Sequence, residues 1–403
     1  MSLGGEKSFK MRMRDMENAF KYRRIPYPKR SVELIAILAI SCTFFLFMHT
    51  NKLNSRLKEM EIKLQPSEFS ALGLTGNQIS PRESSRRDNI NTLHGTYQYL
   101  KSTGQLHSLT PKDVNNTQFA ETNLLLFNRV PKVGSEQLIE LIRRLSVHNG
   151  FGVSRAPFSE PVRQRLDEDE QEELANELLG FGEPYAYSMH VNYIDFTHFE
   201  LPKPIYINMI RDPVERVISW FYYKRAPWTA VQMYKLTKKF RKPQWYKKGF
   251  EDCVVSGDLE CRYEVDSKFQ SSVVDHKRQT LFFCGHDPSC EPFNSNGALQ
   301  FAMQHVENEY AVVGSWEDLN VTLEVLEHYI PRFFRGATQL YYDVENGMMS
   351  TAMNGNPWKP SISAHIKELI RKNFTREYEF YNFCKQRLYR QYYALKNMYS
   401  YNY

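Results

Sequence analysis

Short apolar runs and amphipathic segments follow one another along the chain from residue 121 onwards. The run Leu124–Phe127 has the length and composition of a buried strand, and Ser135–Leu145 carries apolar residues at helical spacing. The same pair returns in Pro204–Ile210, a buried-type strand, and Val214–Lys224, a helix that Asp212 can cap. Strands that alternate with helices predict an α/β fold, with a parallel sheet flanked by helices.

This alternation continues towards the end of the chain. Ala298–Glu309 and Ile362–Leu388 have helical patterns, and Tyr310–Gly314 is a further apolar strand. The acidic stretch Asp167–Glu173 is expected to be the solvated face of a helix without a functional role. We therefore predict one domain over residues 121–403.

One apolar segment near the N-terminus stands apart. Leu34–Met48 contains no charged residue, and five Lys and Arg residues between positions 21 and 30 precede it. A basic flank marks the cytoplasmic side of a membrane span. We predict a cytoplasmic tail at 1–31, an uncleaved transmembrane signal anchor at 32–49 and a lumenal C-terminus; a cleaved signal peptide and a core helix are the alternatives. A short span suits the thin membranes of the early secretory pathway, and we expect a single-pass type II protein of the Golgi membrane.

A polar region separates this segment from the predicted domain. Leu53, Leu57, Met60 and Leu64 recur with heptad-like spacing, and residues 65–119 are rich in Ser, Gly, Asn, Thr, Gln and charge. Two heptads make a marginal helix, which either seeds an oligomer or frays beside the membrane. Residues 50–120 are predicted to form a lumenal stem.

The cysteines and sequons agree with a lumenal location. Four of the six cysteines form two close pairs, Cys253 with Cys261 and Cys284 with Cys290, each of which could close a disulfide loop in an oxidising compartment. Other pairings remain open, neither pair has the zinc-ligand CxxC spacing, and Cys384 is left over. Three sequons offer glycosylation sites, at Asn115, Asn320 and Asn373.

Composition and charge limit the partners. Hydrophobic residues make up 42% of the 403 residues and charged residues 24%, which is typical of a globular body. Because the net charge is only +6, an acidic partner would need a local basic cluster. Aromatic residues are interleaved with such a cluster between positions 234 and 248, where the candidates for contact with an acidic glycan are Lys238, Lys239, Arg241 and Lys242. Solvated surface is the alternative, and a lumenal address argues against nucleic acid.

Two loops carry the candidate chemistry. The first, Asn128–Ser135, leads into a helix N-terminus, which favours a phosphate; Lys132 adds a positive charge and Gly134 lets the backbone approach closely. The loop lacks the GxxxxGK[ST] pattern of a Walker A motif, and by itself it could be a surface turn. The second loop follows the strand Pro204–Ile210. Arg211 lies at the end of that strand and Ser219 two turns into the next helix, so both can bind one phosphate. A nucleotide with phosphates at its 5′ and 3′ positions would need two such sites.

Motifs around these loops resemble the 2-O-sulfotransferase family, which modifies uronic acids of heparan, dermatan or chondroitin chains. NRVPKxGS, HVNYIDF, PIYINMIRDPVERVISWFYYKR and PRFFRGATQLY occur in the family's order within residues 121–390. The N-terminal region together with this domain looks most like an insect member of the family. The resemblance implies a P-loop-like sulfotransferase fold and 3′-phosphoadenosine 5′-phosphosulfate (PAPS) as the donor.

The resemblance also implies roles for individual residues. The first loop would hold the 5′-phosphosulfate through Arg129, Lys132, Gly134 and Ser135. Lys132 would also neutralise charge on the leaving oxygen, while Arg211 and Ser219 would bind the 3′-phosphate. His190 would be the base that removes the proton of the attacking sugar hydroxyl, because imidazole titrates near neutrality.

The chain departs from the family pattern at several positions. Ser188 stands where the family often has a second histidine. Val133 and Glu136 replace threonines of the phosphate loop, which removes two hydroxyl donors and places a carboxylate near an anion site. Asn346–Thr351 replaces a basic segment of heparan-acting relatives. These changes could weaken donor binding, and they leave the acceptor open among several glycans.

We therefore predict a PAPS-dependent carbohydrate sulfotransferase that modifies a uronic acid 2-hydroxyl in a glycosaminoglycan or glycoprotein glycan. The alternative is a non-catalytic lumenal glycan-binding relative of the same fold. No HExxH, carboxylate cluster or DxD motif indicates a metal-dependent enzyme such as a glycosyltransferase, so no metal is expected. The resemblance favours a homotrimer.

Overall fold

The computed structural model describes residues 90–156, 164–264, 277–343 and 359–400. The predicted cytoplasmic tail, signal anchor and heptad-like segment lie outside these residues. Within the described ranges, no helix combines the length and the apolar character that crossing a membrane requires. The expectations for residues 1–89 stay predictions.

In the part of the chain that the structure describes, a five-stranded parallel sheet forms the centre of the domain. Its strands lie in the order β2-β3-β1-β4-β5. Their bounds are β1 Leu124–Asn128, β2 Gly152–Arg155, β3 Tyr185–Met189, β4 Ile205–Ile210 and β5 Tyr310–Ser315. All residues of β1, β4 and β5 are buried, as their apolar sequences predict. The predicted parallel α/β sheet is confirmed.

Helices flank this sheet. In chain order they are α1 Leu93–Ser102, α2 Gln105–Ser108, α3 Ser135–Asn149, α4 Glu168–Leu179, α5 Pro213–Arg225, α6 Pro227–Thr237, α7 Pro243–Lys247, α8 Phe250–Val255, α9 Thr280–Cys284, α10 Asn296–Asn308, α11 Leu319–Tyr329, α12 Pro331–Phe334, α13 Ala337–Tyr342, α14 Ala364–Arg371 and α15 Thr375–Ser400. Short 3-10 helices lie at Pro111–Val114, Asn116–Phe119, Phe196–Phe199, Leu259–Cys261 and Pro288–Cys290. The predicted helical stretch Ile362–Leu388 is divided into α14 and α15. The acidic stretch opens α4, which Asp167 caps by accepting a hydrogen bond from the Glu170 backbone N–H at 2.9 Å.

Strands β2 and β3 were not predicted from the sequence. Their sequences, GVSR and YAYSM, contain no continuous apolar run. Side chains of β3 alternate between buried and partly buried positions, and β2 lies at the edge of the sheet. Strands that are not buried on both faces need fewer apolar residues, and their sequence signal is correspondingly weaker.

Residues 93–119 belong to the folded domain, so the stem boundary predicted at residue 120 falls too late. Leu100, Leu106 and Val114 are buried in the main hydrophobic core. The side-chain amide of Asn116 donates hydrogen bonds to the carbonyl oxygens of Glu307 at 2.7 Å and Tyr310 at 3.0 Å. This segment is polar in composition, but its few leucines contact a core that other elements supply, and composition alone does not reveal such packing.

Two disulfides stabilise the loops of the C-terminal half. Cys253 is joined to Cys261 and Cys284 to Cys290, each pair with its Cα atoms 5.8 Å apart, while Cys384 is a buried free thiol in α15. The structure thus contains both pairs that the spacing suggested. Of the sequon asparagines, Asn320 and Asn373 are exposed and Asn115 is partly buried; their glycosylation stays a prediction.

Candidate active site

The predicted site residues follow the carboxyl ends of three adjacent strands. Strands β3, β1 and β4 are neighbours and run in the same direction, so their carboxyl ends meet at one edge of the sheet. His190 follows β3, the loop 129–134 follows β1, and Arg211 follows β4. The topology therefore brings together groups that are far apart in the sequence.

Two buried asparagines hold the start of the loop, and the sequence reasoning missed both. The Asn208 side-chain amide donates to the Asn128 carbonyl oxygen at 2.7 Å, and the Asn208 Oδ1 accepts from the Val130 backbone N–H at 3.3 Å. Asn128 in turn accepts from the Tyr310 hydroxyl at 2.9 Å. Each asparagine stands inside an otherwise apolar strand. Because buried polar groups need partners, this pattern could have indicated that both amides hold neighbouring backbone.

Two left-handed residues turn the loop backbone into α3. Lys132 and Gly134 adopt left-handed conformations with φ of 66° and 83°. A Cβ at position 134 would lie 2.1 Å from Cε3 of Trp316, so only glycine fits under that indole ring. Ser135 then begins α3, whose first backbone N–H groups have no partner within the helix. Such a loop and helix start form a ready site for a phosphate or sulfate group.

Lys132 lies against an aromatic ring at this edge. Its Nζ is 4.0 Å from the centroid of the Tyr223 ring, on α5. Burial, aided by the charge of Arg211 and opposed by that of Glu136, lowers the pKa of Lys132 to about 8. Ser219 lies one helical turn before Tyr223, so the two share a face of α5. Ser219 therefore lies on the same face of α5 as the ring that Lys132 contacts.

Arg211 connects the two strand-loop-helix units. Its Nη1 donates to the Lys132 carbonyl oxygen at 3.3 Å. Its backbone N–H donates to Gln279 Oε1 at 3.0 Å, and its carbonyl accepts from Gln279 Nε2 at 2.8 Å. Gln279 is fully buried, and the sequence analysis did not identify it. It fixes the position from which the Arg211 side chain reaches the loop.

His190 is held in a defined tautomer. Its Nδ1 lies 2.8 Å from the carbonyl oxygen of Arg129. Because a carbonyl can only accept, Nδ1 carries the hydrogen, and in the neutral ring Nε2 carries the lone pair. Burial, with the charge of Arg129 acting in the same direction, lowers the pKa of His190 to about 3. At neutral pH His190 is therefore uncharged, with its lone pair on Nε2. A pKa this low makes it a weaker base than the near-neutral imidazole predicted from the sequence.

The two substitutions in the phosphate loop have different surroundings. Val133 is fully buried in the core. Glu136, in the first turn of α3, forms an ion pair with Arg129 and a second one with Arg155 at the end of β2, where its Oε2 lies 3.2 Å from Nη1. Arg155 was not singled out from the sequence, because nothing in the local pattern shows that β2 ends beside this loop.

The range 115–384, about two thirds of the chain, matches the profile described as the sulfotransferase family. The matched range contains every residue of the site described above. The chain belongs to the sulfotransferase family. The predictions of the family and of an enzyme are confirmed.

Within this family, the chain is similar in sequence to several individual sulfotransferases. The chain is 45% identical to the Drosophila melanogaster protein described as uronyl 2-sulfotransferase homolog pip, over 98% of this chain and 96% of that protein. It is 29% identical to the Homo sapiens uronyl 2-sulfotransferase, over 68% of this chain and 64% of that protein. It is 34% identical to the Gallus gallus heparan sulfate 2-O-sulfotransferase 1, over 65% of this chain and 69% of that protein. The predicted resemblance to 2-O-sulfotransferases and to an insect member is confirmed.

The basic cluster of this sulfotransferase lies on its surface. Helix α6 follows directly after α5, and the cluster continues from the end of α6 into α7. The rings of Tyr234 and Phe240 stack at 4.4 Å, and both are exposed. The predicted acceptor-binding residues are also exposed: Lys238, Lys239, Arg241 and Lys242. They lie on the chain segment that continues from α5.

Proposed function

We propose that this sulfotransferase moves the sulfuryl group of PAPS onto the 2-hydroxyl of a uronic acid in a glycosaminoglycan or glycoprotein glycan. One observation carries the proposal: a neutral histidine with its lone pair on Nε2 shares a sheet edge with a half-buried lysine in an anion-binding loop. The names of the relatives supply the uronic acid and the 2-position.

The donor set of the site fits a nucleotide that bears phosphates at both ends. Its cationic and hydrogen-bonding groups are matched to acidic oxygens. Those assigned to the 5′-phosphosulfate are Arg129, Lys132, Gly134 and Ser135. Arg211 and Ser219 are assigned to the 3′-phosphate, because Arg211 contacts the loop from the next strand and Ser219 lies on the following helix.

The reaction consists of one proton transfer and one sulfuryl transfer. His190 accepts the proton of the sugar hydroxyl at Nε2 while the hydroxyl oxygen attacks sulfur. The new O–S bond forms as the S–O bond to the 5′-phosphate breaks, and the bonding pair stays on the phosphate oxygen. Lys132 neutralises the charge on that oxygen. The products are the sulfated sugar, 3′-phosphoadenosine 5′-phosphate (PAP) and protonated His190; the proposal includes no metal.

The acceptor and the cellular setting complete the proposal. Exposed cations beside exposed aromatic rings suit a sugar chain that carries carboxylates or sulfates, and Lys238 to Lys242 would bind it. The Golgi membrane, with a single-pass type II topology and a lumenal domain, is the proposed location, and a homotrimer is the proposed assembly.

PAP binding to the full-length chain in detergent, measured by calorimetry, tests the donor site. We expect micromolar binding by the wild type and at least about a tenfold loss in Arg211→Ala, because a hydrogen bond to a charged group is worth roughly 1.5–3 kcal/mol. Arg143→Ala is the matched control, since Arg143 is an exposed arginine of α3 that pairs with Glu140.

A folded wild-type chain that fails to bind PAP would contradict the proposal. That outcome would favour the non-catalytic, glycan-binding relative, for which one observation speaks: a carboxylate, Glu136, already pairs with Arg129.

The pKa of Lys132 predicts how donor use depends on pH. The ammonium form is the active one, and because the pKa of Lys132 is lowered to about 8, the charge is lost as pH rises through that value. We expect kcat/KM for PAPS to fall above about pH 8. Lys132→Arg should remove this alkaline limb, since arginine stays protonated and can also stack on Tyr223. An unchanged limb in the arginine variant would assign the titration to another group.

A further inference from the structure

Glu136 lies between two guanidinium groups that come from different elements. Arg129 follows β1, Arg155 ends β2, and Glu136 belongs to the first turn of α3. The Arg129 side chain is 11% exposed, whereas Glu136 is 41% and Arg155 56% exposed. One carboxylate therefore pairs with one buried and one solvated cation.

The guanidinium of Arg129 has a hydrogen-bond donor that no described residue accepts from. The Nε of Arg129 is buried and has no hydrogen-bond partner among the described residues. Its backbone carbonyl meanwhile holds His190. Arg129 is thus fixed at the catalytic edge with a donor that is not satisfied, and a buried donor without a partner is unfavourable until an acceptor arrives.

The two ion pairs differ in strength. The pair with Arg155 is open to solvent on both sides, and such pairs contribute little. The pair with Arg129 is shielded on the arginine side, and electrostatic interactions strengthen as water is excluded. An anion that binds at the loop would meet the Glu136 carboxylate next to the cation that it needs.

We propose that Glu136 competes with the 5′-phosphosulfate of the donor for Arg129 and thereby sets donor affinity; this inference rests on the proposed function. Arg155 holds the displaced carboxylate once Arg129 has turned to the donor. Glu136 and Arg155 are in this view a positioning pair that determines how tightly the 5′ end is bound. A second role for the same contacts, a brace that keeps the loop in shape, predicts the opposite sign.

Calorimetric titration of the full-length chain with PAP separates the two roles. We expect Glu136→Gln to bind PAP about fivefold more tightly, because the competing charge is removed. Arg155→Ala should bind PAP about threefold more weakly. Without Arg155 to hold it, the Glu136 carboxylate stays with Arg129 and competes more strongly with the donor. The double variant should behave like Glu136→Gln, since without the carboxylate Arg155 has nothing to hold.

Two controls confine the effect to the 5′ end. Adenosine 3′-phosphate, which lacks the 5′-phosphate, should bind wild type and Glu136→Gln equally when measured by competition against PAP. Glu140→Gln removes a carboxylate one turn later in α3, where it pairs with Arg143 and Arg144, and it should leave PAP affinity unchanged.

Each result decides the question. Weaker or equal PAP binding by Glu136→Gln, in a variant whose thermal unfolding matches the wild type, would overturn the competition and support the brace. Additive effects in the double variant would show that Arg155 acts independently of Glu136. Absence of binding by every variant would overturn the proposed function and this inference with it, whereas wild-type binding without a gain in Glu136→Gln overturns the inference alone.

Discussion

Replacing His190 with alanine is expected to lower kcat about a thousandfold, while PAP affinity stays within about twofold of the wild type. A positioned general base contributes roughly 10²–10⁴ to the rate. The structure favours that role because Nδ1 is committed to the Arg129 carbonyl, which leaves the lone pair on Nε2. The change is measured by single-turnover transfer of labelled sulfate from PAPS to a uronic-acid-containing glycan.

A variant that keeps the hydrogen bond but not the basicity separates position from chemistry. His190→Asn can still donate from its side-chain amide to the Arg129 carbonyl, yet an amide cannot accept the proton, so we expect it to be as inactive as the alanine variant. His198→Ala is the control, because His198 is exposed and pairs with Glu168. Substantial activity in His190→Asn would mean that the imidazole only holds the loop and that another group takes the proton.

The proposed role of His190 does not depend on the residue at position 188. Ser188, at the position where the family often has a second histidine, is buried within β3, and its register partners are Phe127 and Arg155 on the neighbouring strands. A side chain inside the sheet is poorly placed to reach a sugar hydroxyl. The substitution at 188 therefore leaves the proposed base, one residue beyond the end of β3, intact.

Sequence patterns predicted the parts of the fold that are buried on both faces. Leu124–Phe127, Pro204–Ile210 and Tyr310–Gly314 appear in the structure as three strands of the sheet, because central parallel strands need continuous apolar runs. Strands β2 and β3 were not predicted because they are only partly buried and contain no continuous apolar run. The packing of residues 93–119 against the domain was not predicted because it depends on helix α15, almost 300 residues away in the sequence.

The site was predictable where motif and topology agree. Lys132, His190 and Arg211 each follow a strand, and parallel strands place such residues at one edge. Contacts that depend on the tertiary fold were not predictable: the Lys132 ammonium against the Tyr223 ring, and Arg155 beside Glu136. Both pairs join residues from separate elements, and no periodicity records how those elements approach each other.

Lys132→Ala is expected to lower kcat several hundredfold and to weaken PAP binding much less. Removing one group that stabilises developing negative charge costs about 10²–10³ in kcat, because its interaction is strongest in the transition state. The backbone does not confuse the comparison: Lys132 has a φ of 66°, a conformation that costs alanine about as much as lysine. Single-turnover rates at saturating PAPS, alongside PAP calorimetry, measure the two effects separately.

Two further variants, Lys132→Arg and Lys396→Ala, test whether the loss of rate comes from the missing positive charge beside the leaving oxygen. Lys132→Arg restores a cation over the Tyr223 ring and should recover part of the rate, because guanidinium binds phosphate oxygens and stacks on aromatic faces. Lys396→Ala removes another lysine that lies over a tyrosine ring, 4.8 Å from the Tyr392 centroid, and should leave the rate unchanged. If Lys132→Ala instead lost PAP affinity and kept its kcat, Lys132 would bind the donor equally in the ground and transition states, and the neutralisation of the departing phosphate would have to come from Arg129 and the N-terminus of α3.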